Sequence, residues 1–487
     1  MTAIYHRSVI NFKKNPKKTF FYDLKHELLG SDCLALVLRI IKFLKKNKIT
    51  TMGISSKNTI YWPLWYLAAD AYCKDLFIIN SLFGDKLVDK LQKRYKIQYI
   101  AKNLDNLQNE EENINLDKFN DKFLNQRFVK KGQKNNIIFT SGSTGFPKGV
   151  IIPESAYFHV AKILIKKLNQ KKDDLELLSM PFDHSFGLTR LRCVLISGSS
   201  ALITEGLKNF PSIYKFSQTN IITGLSLVPS GIEIIKNLLK KKVNNFSKEI
   251  NYFEIGSSAI SEESRSWLKN NFKKSKIFHH YGTTEASRSF LRHRGNDDDF
   301  EITNNWIGEI IDDCEYMLDK QIGSVNKNQG ELLIRGKNLF LEYLEQDDSK
   351  NKKKDDWFKT GDLCKEENSK VFLIGRLDNQ LNVGGEKIQA EEIETIIEEF
   401  KEVKNCLCFQ IPDKVRINKI ICLIETNNYT YKQNLEKSIL NIFNNYPNHY
   451  KQLTIKFLHK VPITNNGKKL RDQRELAKLL ICPTKHL

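Results

Sequence analysis

Ile137-Ile-Phe-Thr-Ser-Gly-Ser-Thr-Gly-Phe-Pro-Lys-Gly-Val150 decides how this 487-residue chain is read. An apolar run feeds straight into a loop of hydroxyl residues, glycines and one lysine, the layout of an anion cradle at the end of a strand. Gly142 and Gly145 let the backbone turn several N–H groups onto one phosphate. Thr140, Ser141, Ser143 and Thr144 add hydroxyl donors, and Lys148 adds a point charge. The order Gly-x4-Gly-Lys-Ser/Thr is absent and Pro147 precedes the lysine, so a Walker-type nucleotidase is disfavoured.

Upstream of the cradle, candidate helices (Cys33 to Asn47, Trp62 to Lys74, Asp85 to Lys96) alternate with short apolar strands (Thr51 to Ser55, Asp75 to Asn80, Ile97 to Ala101). That rhythm predicts a parallel α/β sheet. The polar stretch Asn103 to Asn136 has weak periodicity and predicts an irregular excursion. Downstream the alternation resumes to about Arg376, with strand-like Glu331 to Arg335 and Val371 to Ile374 near its end. After Gly375-Arg-Leu-Asp378 the pattern restarts with a charged helix, Ala390 to Glu399. The expected fold is therefore α/β: a large multi-lobed N-terminal domain with parallel α/β sheets (1–377), a hinge, and a small α+β C-terminal domain (378–487).

Further motifs follow the cradle in order: Gly256-Ser-Ser-Ala-Ile260, Tyr281-Gly-Thr-Thr-Glu285, Trp357-Phe-Lys-Thr-Gly-Asp-Leu363, Gly375-Arg-Leu-Asp-Asn-Gln380 with Leu381-Asn-Val-Gly-Gly-Glu-Lys-Ile388, and Val461-Pro-Ile-Thr-Asn-Asn-Gly-Lys-Lys-Leu-Arg471. Together, over residues 137–471, they resemble the signatures of adenylate-forming (AMP-binding) enzymes, the superfamily of acyl-CoA synthetases, amino-acid-activating domains and firefly-type luciferases. The resemblance implies that Gly256, Ser257 and Ser258 frame the purine, that Tyr281 and Gly282 lie at the adenine, that Thr284 meets the α-phosphate, and that Glu285 helps hold Mg²⁺. Each role suits its residue, since an aromatic face stacks on a base and a carboxylate is a hard oxygen ligand. It also assigns Asp362 to the ribose hydroxyls, Arg376 to the neighbourhood of the nucleotide, and Asp378 to the pivot between two domain orientations. Gly384 and Gly385 become a wall of the thiol tunnel, and Lys468 enters the active site with Lys469 as its solvated neighbour. Gly330 to Gly336 resembles the family's structural strand, and Asn382 departs from the lysine many members carry.

The resemblance implies an ATP-dependent, AMP-forming acid–thiol ligase that uses ATP, Mg²⁺ and either CoA or the phosphopantetheine of a carrier protein. Ser179-Met-Pro-Phe-Asp-His-Ser-Phe-Gly-Leu188 bears on which acid is activated. Read one way it resembles acyl-CoA synthetases, with His184 bordering the acyl carboxylate and Asp183 structural or solvated. Read the other way it resembles amino-acid-activating domains, with Asp183 paired to the substrate ammonium. A small-molecule carboxylic acid and CoA are the first expectation, and loading of an amino or acyl acid onto a carrier protein in trans is the alternative. Sixteen residues follow Arg471, too few for a fused carrier, so the thiol is expected in trans.

The formal charge of +20 is spread among asparagine and isoleucine along the whole chain, so no nucleic-acid partner is expected; such a surface favours acidic partners, CoA phosphates or an acidic carrier. No uninterrupted apolar segment reaches the roughly 18 residues of a spanning helix, so no integral membrane segment is expected. Nine scattered cysteines and the absence of a signal-peptide layout predict a cytoplasmic protein with reduced thiols, Cys406 and Cys408 sharing one face of a strand.

Overall fold

The computed structural model describes residues 4–105, 135–140, 147–239, 243, 246, 249–257, 260–293, 305–320, 328–345, 353–354, 356–383, 386–413, 417–426, 432–444, 453–463, 469–471 and 476. The chain forms two compact units, Met1–Tyr316 with Ile334–Lys359, and Met317–Leu333 with Thr360–Leu487. The 377/378 boundary read from the sequence falls inside the second of these.

Two sheets organise the first unit. In the nine-stranded one, Lys276–Tyr281, Tyr252–Ile255, Gly224–Leu227, Leu175–Leu178, Ser200–Ile203 and Thr19–Tyr22 lie side by side and parallel. In the six-stranded one, Asn135–Thr140, Asp75–Ile78, Thr51–Ile54 and Tyr99–Ala101 are parallel, while Lys148–Pro153 and Glu342–Tyr343 extend one edge antiparallel. The parallel strands are covered on both faces, which is why they read as nearly continuous apolar runs. The predicted strands and helices of residues 32–102 are present, with helices at Gly30–Lys46, Trp62–Tyr72 and Asp85–Arg94 ending one or two residues early. Pro63 sits in the first turn of the second helix, where its missing N–H costs nothing. The strand of the opening motif starts at Asn135; most of the expected excursion, 106–134, lies outside the described residues.

The strands Trp357–Glu367 and Lys370–Arg376 pair antiparallel, with Asp362 opposite Arg376 and Glu367 opposite Lys370, both pairs in the second unit. The hairpin Gln380–Val383/Glu386–Gln389 leads into the helix Ala390–Glu398, which packs on a three-stranded sheet of Val403–Asp413, Ile417–Thr426 and Leu453–Leu458. Ile393 and Ile397 share one helix face and meet Cys406, Cys408, Cys422 and Ile424 in the core. Cys406 and Cys408 thus face inward together, and the described cysteines are buried free thiols.

Candidate active site

In both sheets the turns that follow the parallel strands carry the motifs, as expected for an α/β sheet whose ligands sit outside the carboxyl ends of strands. From the nine-stranded sheet come the turn after Leu178 with Asp183 and His184, the turn after Ile255 with Gly256 and Ser257, and the turn after Tyr281 with Gly282, Thr284 and Glu285. The six-stranded sheet contributes residues 79–82 and the cradle. Its two flanks, Thr140 and Lys148, face each other across the ladder; Ser141, Gly142, Ser143, Thr144 and Gly145 lie outside the described residues.

The turn residues 80–81 and 183–184 join the two sheets. The Ser81 amide donates to Asp183 Oδ2 at 2.7 Å, and Asn80 Nδ2 lies 3.3 Å from His184 Nε2. Because Asn80 Oδ1 already accepts the Leu82 amide at 2.8 Å, its NH₂ is turned to the imidazole and Nε2 is the acceptor. His184 therefore offers Asp183 no proton from Nε2, which stands 3.6 Å from Asp183 Oδ1. Asp183 is 4% exposed, and Oδ1 has no hydrogen-bond partner among the described residues. A buried carboxylate oxygen in that state demands a donor. The expectation of a solvated Asp183, one form of the acyl reading, is corrected by this burial; Oδ2 does serve the structure, through Ser81.

Beneath the turn that carries Gly256 and Ser257 lies a buried charge cluster that no motif announced. Arg190 pairs with Glu176 at 2.6 Å and with Glu254 at 3.3 Å, and Arg288 Nε donates to Glu254 at 3.0 Å. Two carboxylates meet two guanidiniums, so the cluster is neutral. Burial would raise the Glu254 carboxyl, but Arg288, His280 and Arg190 hold it far below the usual carboxylate range. His280, 2.8 Å from Glu254, is driven below its ordinary 6.5 first by burial and then by the Arg288 charge. Arg288 also donates to the carbonyls of Ser185 and Phe186, and so ties the cluster to the turn that bears Asp183. Gly256 is obligatory for packing, since a Cβ there would stand 2.0 Å from the His280 ring. Its neighbour Ser257 adopts φ 76°, a conformation costly to a residue with a side chain.

Glu285 is tied to the cradle by a residue absent from every motif. Tyr343 donates its hydroxyl to Glu285 Oε1 at 2.7 Å, while its ring lies 6.0 Å from Lys148 Nζ. Among the described residues no three acidic, histidine or cysteine side chains converge as a metal cage. One carboxylate, held at Oε1 by the Tyr343 hydroxyl, fits Mg²⁺, which takes one or two protein carboxylates and completes its shell with phosphate and water. The Tyr281 ring, half-buried against Phe290, leaves part of its surface open, and Thr284 is half-buried beside it.

Within the second unit, Asp362 is 5% exposed and Arg376 Nη1 donates to its Oδ1 at 3.0 Å and to the Thr360 carbonyl at 2.9 Å. The chain reaches Asp362 through Gly361 at φ 76°, a region that favours glycine, and Glu331 of the structural strand accepts the Gly361 amide at 2.9 Å. Asp378 lies in a short 3₁₀ turn, while Ser258, Gly384, Gly385 and Lys468 lie outside the described residues. Lys469 is not the solvated neighbour expected of it. Its Nζ lies 2.9 Å from Glu394 and 2.8 Å from Glu398, and although burial alone would lower its pKa, the two carboxylates raise it well above the ordinary lysine value. Arg471 grips the same Glu394 with two nitrogens at 2.6 and 2.8 Å. Two cations at alternate positions thus anchor one end of the last motif to the helix Ala390–Glu398.

Comparison with known proteins bears on the family and the fold. The family profile described as AMP-binding enzyme matches residues 62–344, more than half of the chain. The chain belongs to that family, and it is an AMP-forming ligase. Among curated relatives it is 26% identical over 359 residues to the D-alanine--D-alanyl carrier protein ligase of Staphylococcus aureus strain Newman, covering 70% of each chain. The protein from the bovine strain RF122 / ET3-1 is equally similar, 26% over 358 residues and 70% of each chain. In fold it resembles o-succinylbenzoate CoA synthetase of Bacillus subtilis in complex with its acyl-adenylate (TM-score 0.81, 16% identity, 97% of this chain and 98% of that one). It also resembles ATP-bound MatB of Rhodopseudomonas palustris (TM-score 0.80, 15% identity, 98% of each).

Proposed function

We propose that this enzyme activates an amino acid as its adenylate and hands the aminoacyl group to the phosphopantetheine thiol of a carrier protein supplied in trans. The observation that carries the reading is Asp183: a buried carboxylate whose Oδ1 has no hydrogen-bond donor among the described residues suits a substrate ammonium and is costly without one. The similarity to carrier-protein ligases for D-alanine supports it and makes D-alanine the first substrate to test. It reverses the order expected from motifs alone, which put CoA and a simple acid first.

In the first half-reaction a substrate carboxylate oxygen bonds to the α-phosphorus of ATP as the bond to pyrophosphate breaks. Two anions must meet, so the protein's task is to supply positive charge and donors. In this reading Lys148, Thr140 and residues 141–145 hold the phosphates, Thr284 donates to the α-phosphate, Tyr281, Gly256, Ser257 and Ser258 hold the adenine, and Asp362 and Arg376 serve the ribose. Glu285 would hold Mg²⁺, which when bound neutralises phosphate charge. Lys468 completes the charge supply. In the second half-reaction the thiol sulfur replaces AMP on the acyl carbon. We place that step after a change of orientation about Asp378, with Gly384 and Gly385 beside the pantetheine arm.

ATP–pyrophosphate exchange across D- and L-amino acids and their deaminated analogues tests the reading, followed by thioester formation on CoA, pantetheine and a phosphopantetheinylated carrier. Exchange that needs the α-amino group and transfer to the carrier are expected. Equal exchange with the deaminated acids, together with transfer to CoA, would reinstate the acyl-CoA ligase reading.

A further inference from the structure

We infer that Tyr343 is a positioning residue for the metal-binding carboxylate, at the end of a strap, residues 339–344, that locks the Tyr281–Glu285 turn to the phosphate hairpin. The inference rests on the proposed role of Glu285 in holding Mg²⁺. The strap is continuous. Leu339 bridges Ala286, the Phe340 amide donates to the Glu285 carbonyl at 2.7 Å, and the Leu341 amide donates to the Ile151 carbonyl at 2.8 Å. Tyr343 then pairs with Val150, and the Leu344 amide donates to the Gly149 carbonyl at 2.8 Å. Five consecutive links therefore run from one ATP-handling motif to the other.

Register explains the side chain's reach. Val150 and Lys148 are two residues apart on one strand and share a face, so a ring opposite Val150 lies diagonal to the Lys148 side chain. From there the Tyr343 hydroxyl turns back to Glu285 Oε1, and at 5% exposure it is shielded from replacement by bulk water. Phe340 packs edge-on against the ring at 4.9 Å, a contact that adds packing but no donor. A carboxylate held through one oxygen keeps its other oxygen, and one lone pair of the first, for a cation. Partners of this kind orient a metal ligand, and losing one typically costs about 10- to 100-fold in metal affinity.

The test uses the full-length protein with a non-hydrolysable ATP analogue and Mn²⁺, whose binding is titrated by electron paramagnetic resonance, alongside the Mg²⁺ dependence of pyrophosphate exchange. Tyr343→Phe keeps the ring and the ladder but removes the donor; it is expected to weaken Mn²⁺ about tenfold. Thioester formation from presynthesised adenylate should change little in the same protein. Phe340→Leu, which loosens the strap and retains the hydroxyl, should leave Mn²⁺ affinity as in the wild type. Glu285→Gln separates the layers of the argument. If it weakens Mn²⁺ and Tyr343→Phe does not, the positioning role is wrong while the metal assignment stands. If neither variant changes Mn²⁺ binding, the metal assignment fails and takes this inference with it. Equal weakening by Phe340→Leu and Tyr343→Phe would mean that packing, not the hydroxyl, sets the site, and would also overturn it.

Discussion

Asp183→Asn is the substitution that separates the two chemistries most cleanly, because it changes charge and leaves shape alone. The amide oxygen can still accept from Ser81, whose bond to Oδ2 is 2.7 Å, so the joint between the two sheets survives. What is lost is the charge presented by Oδ1, which lies buried without a hydrogen-bond partner among the described residues. Removing one member of a buried charge pair costs about 2 to 5 kcal/mol. At about 1.4 kcal/mol per factor of ten, amino-acid-dependent kcat/KM should fall roughly 30-fold to a few thousand-fold. A deaminated acid offers no ammonium, so its poor activity should move by less than about threefold or even improve, since a neutral amide no longer repels its carboxylate. The assay is pyrophosphate exchange with matched pairs such as an amino acid and its deaminated analogue, with thermal unfolding as the control for folding. A parallel fall for both acids would assign Asp183 to structure alone and refute the reasoning.

Lys468→Ala should reduce adenylation on the order of 10²- to 10³-fold while leaving thioester formation from supplied adenylate in place; equal loss of both would remove the case for two orientations about Asp378. Glu394→Gln leaves Lys469 and Arg471 facing each other with their shared carboxylate neutralised, and about 3 to 5 kcal/mol of stability should disappear from the second unit in denaturant titration. A loss under about 1 kcal/mol would show that Glu398 and Glu391 suffice. His280 should titrate below its ordinary 6.5 when followed by NMR. Since the unfolded chain then binds this proton more readily than the folded one, stability falls as pH drops through 6.5 and below; a limb of opposite sign, with His280 titrating above 6.5, would mean that Glu254 dominates over burial.

The legible part of this chain is the part whose chemistry is local. A cradle needs its glycines, hydroxyls and lysine within a dozen residues, so residues 137–150 suggest one without a partner, although 141–146 lie outside the described residues; the alternation over residues 32–102 announces, for the same reason, the parallel strands that are present. Tyr343 carries no such signal. Its importance comes from standing opposite Val150 and within reach of Glu285, positions 193 and 58 residues away in the chain, and only strand pairing creates that proximity. Glu176 and Glu254 did leave a trace, as single acidic residues inside the otherwise apolar runs Leu175–Leu178 and Tyr252–Ile255. A charge in a strand buried on both faces must be paired, and that rule alone would have sent a search for Arg190 and Arg288.

Asp183 shows where local reading stops. The same ten residues supported an acyl and an amino-acid interpretation because the difference between them lies in whether a neighbour donates to Oδ1. Asn80 bears on that question at a distance: with its own oxygen occupied by the Leu82 amide, it turns an N–H to His184, and an Nε2 that accepts this bond does not donate to the carboxylate 3.6 Å away. Replacing Asn80 by Ser would release Nε2 to donate across the 3.6 Å gap to Asp183. The substrate ammonium would then compete with an internal partner, and calorimetric titration should show affinity for the amino acid falling while that for ATP stays unchanged. Unaltered amino-acid affinity in this variant would mean that Asn80 does not govern the imidazole. On the proposed amino-acid reading, the specificity of the site would be held by a residue that belongs to the other sheet and touches neither reacting atom.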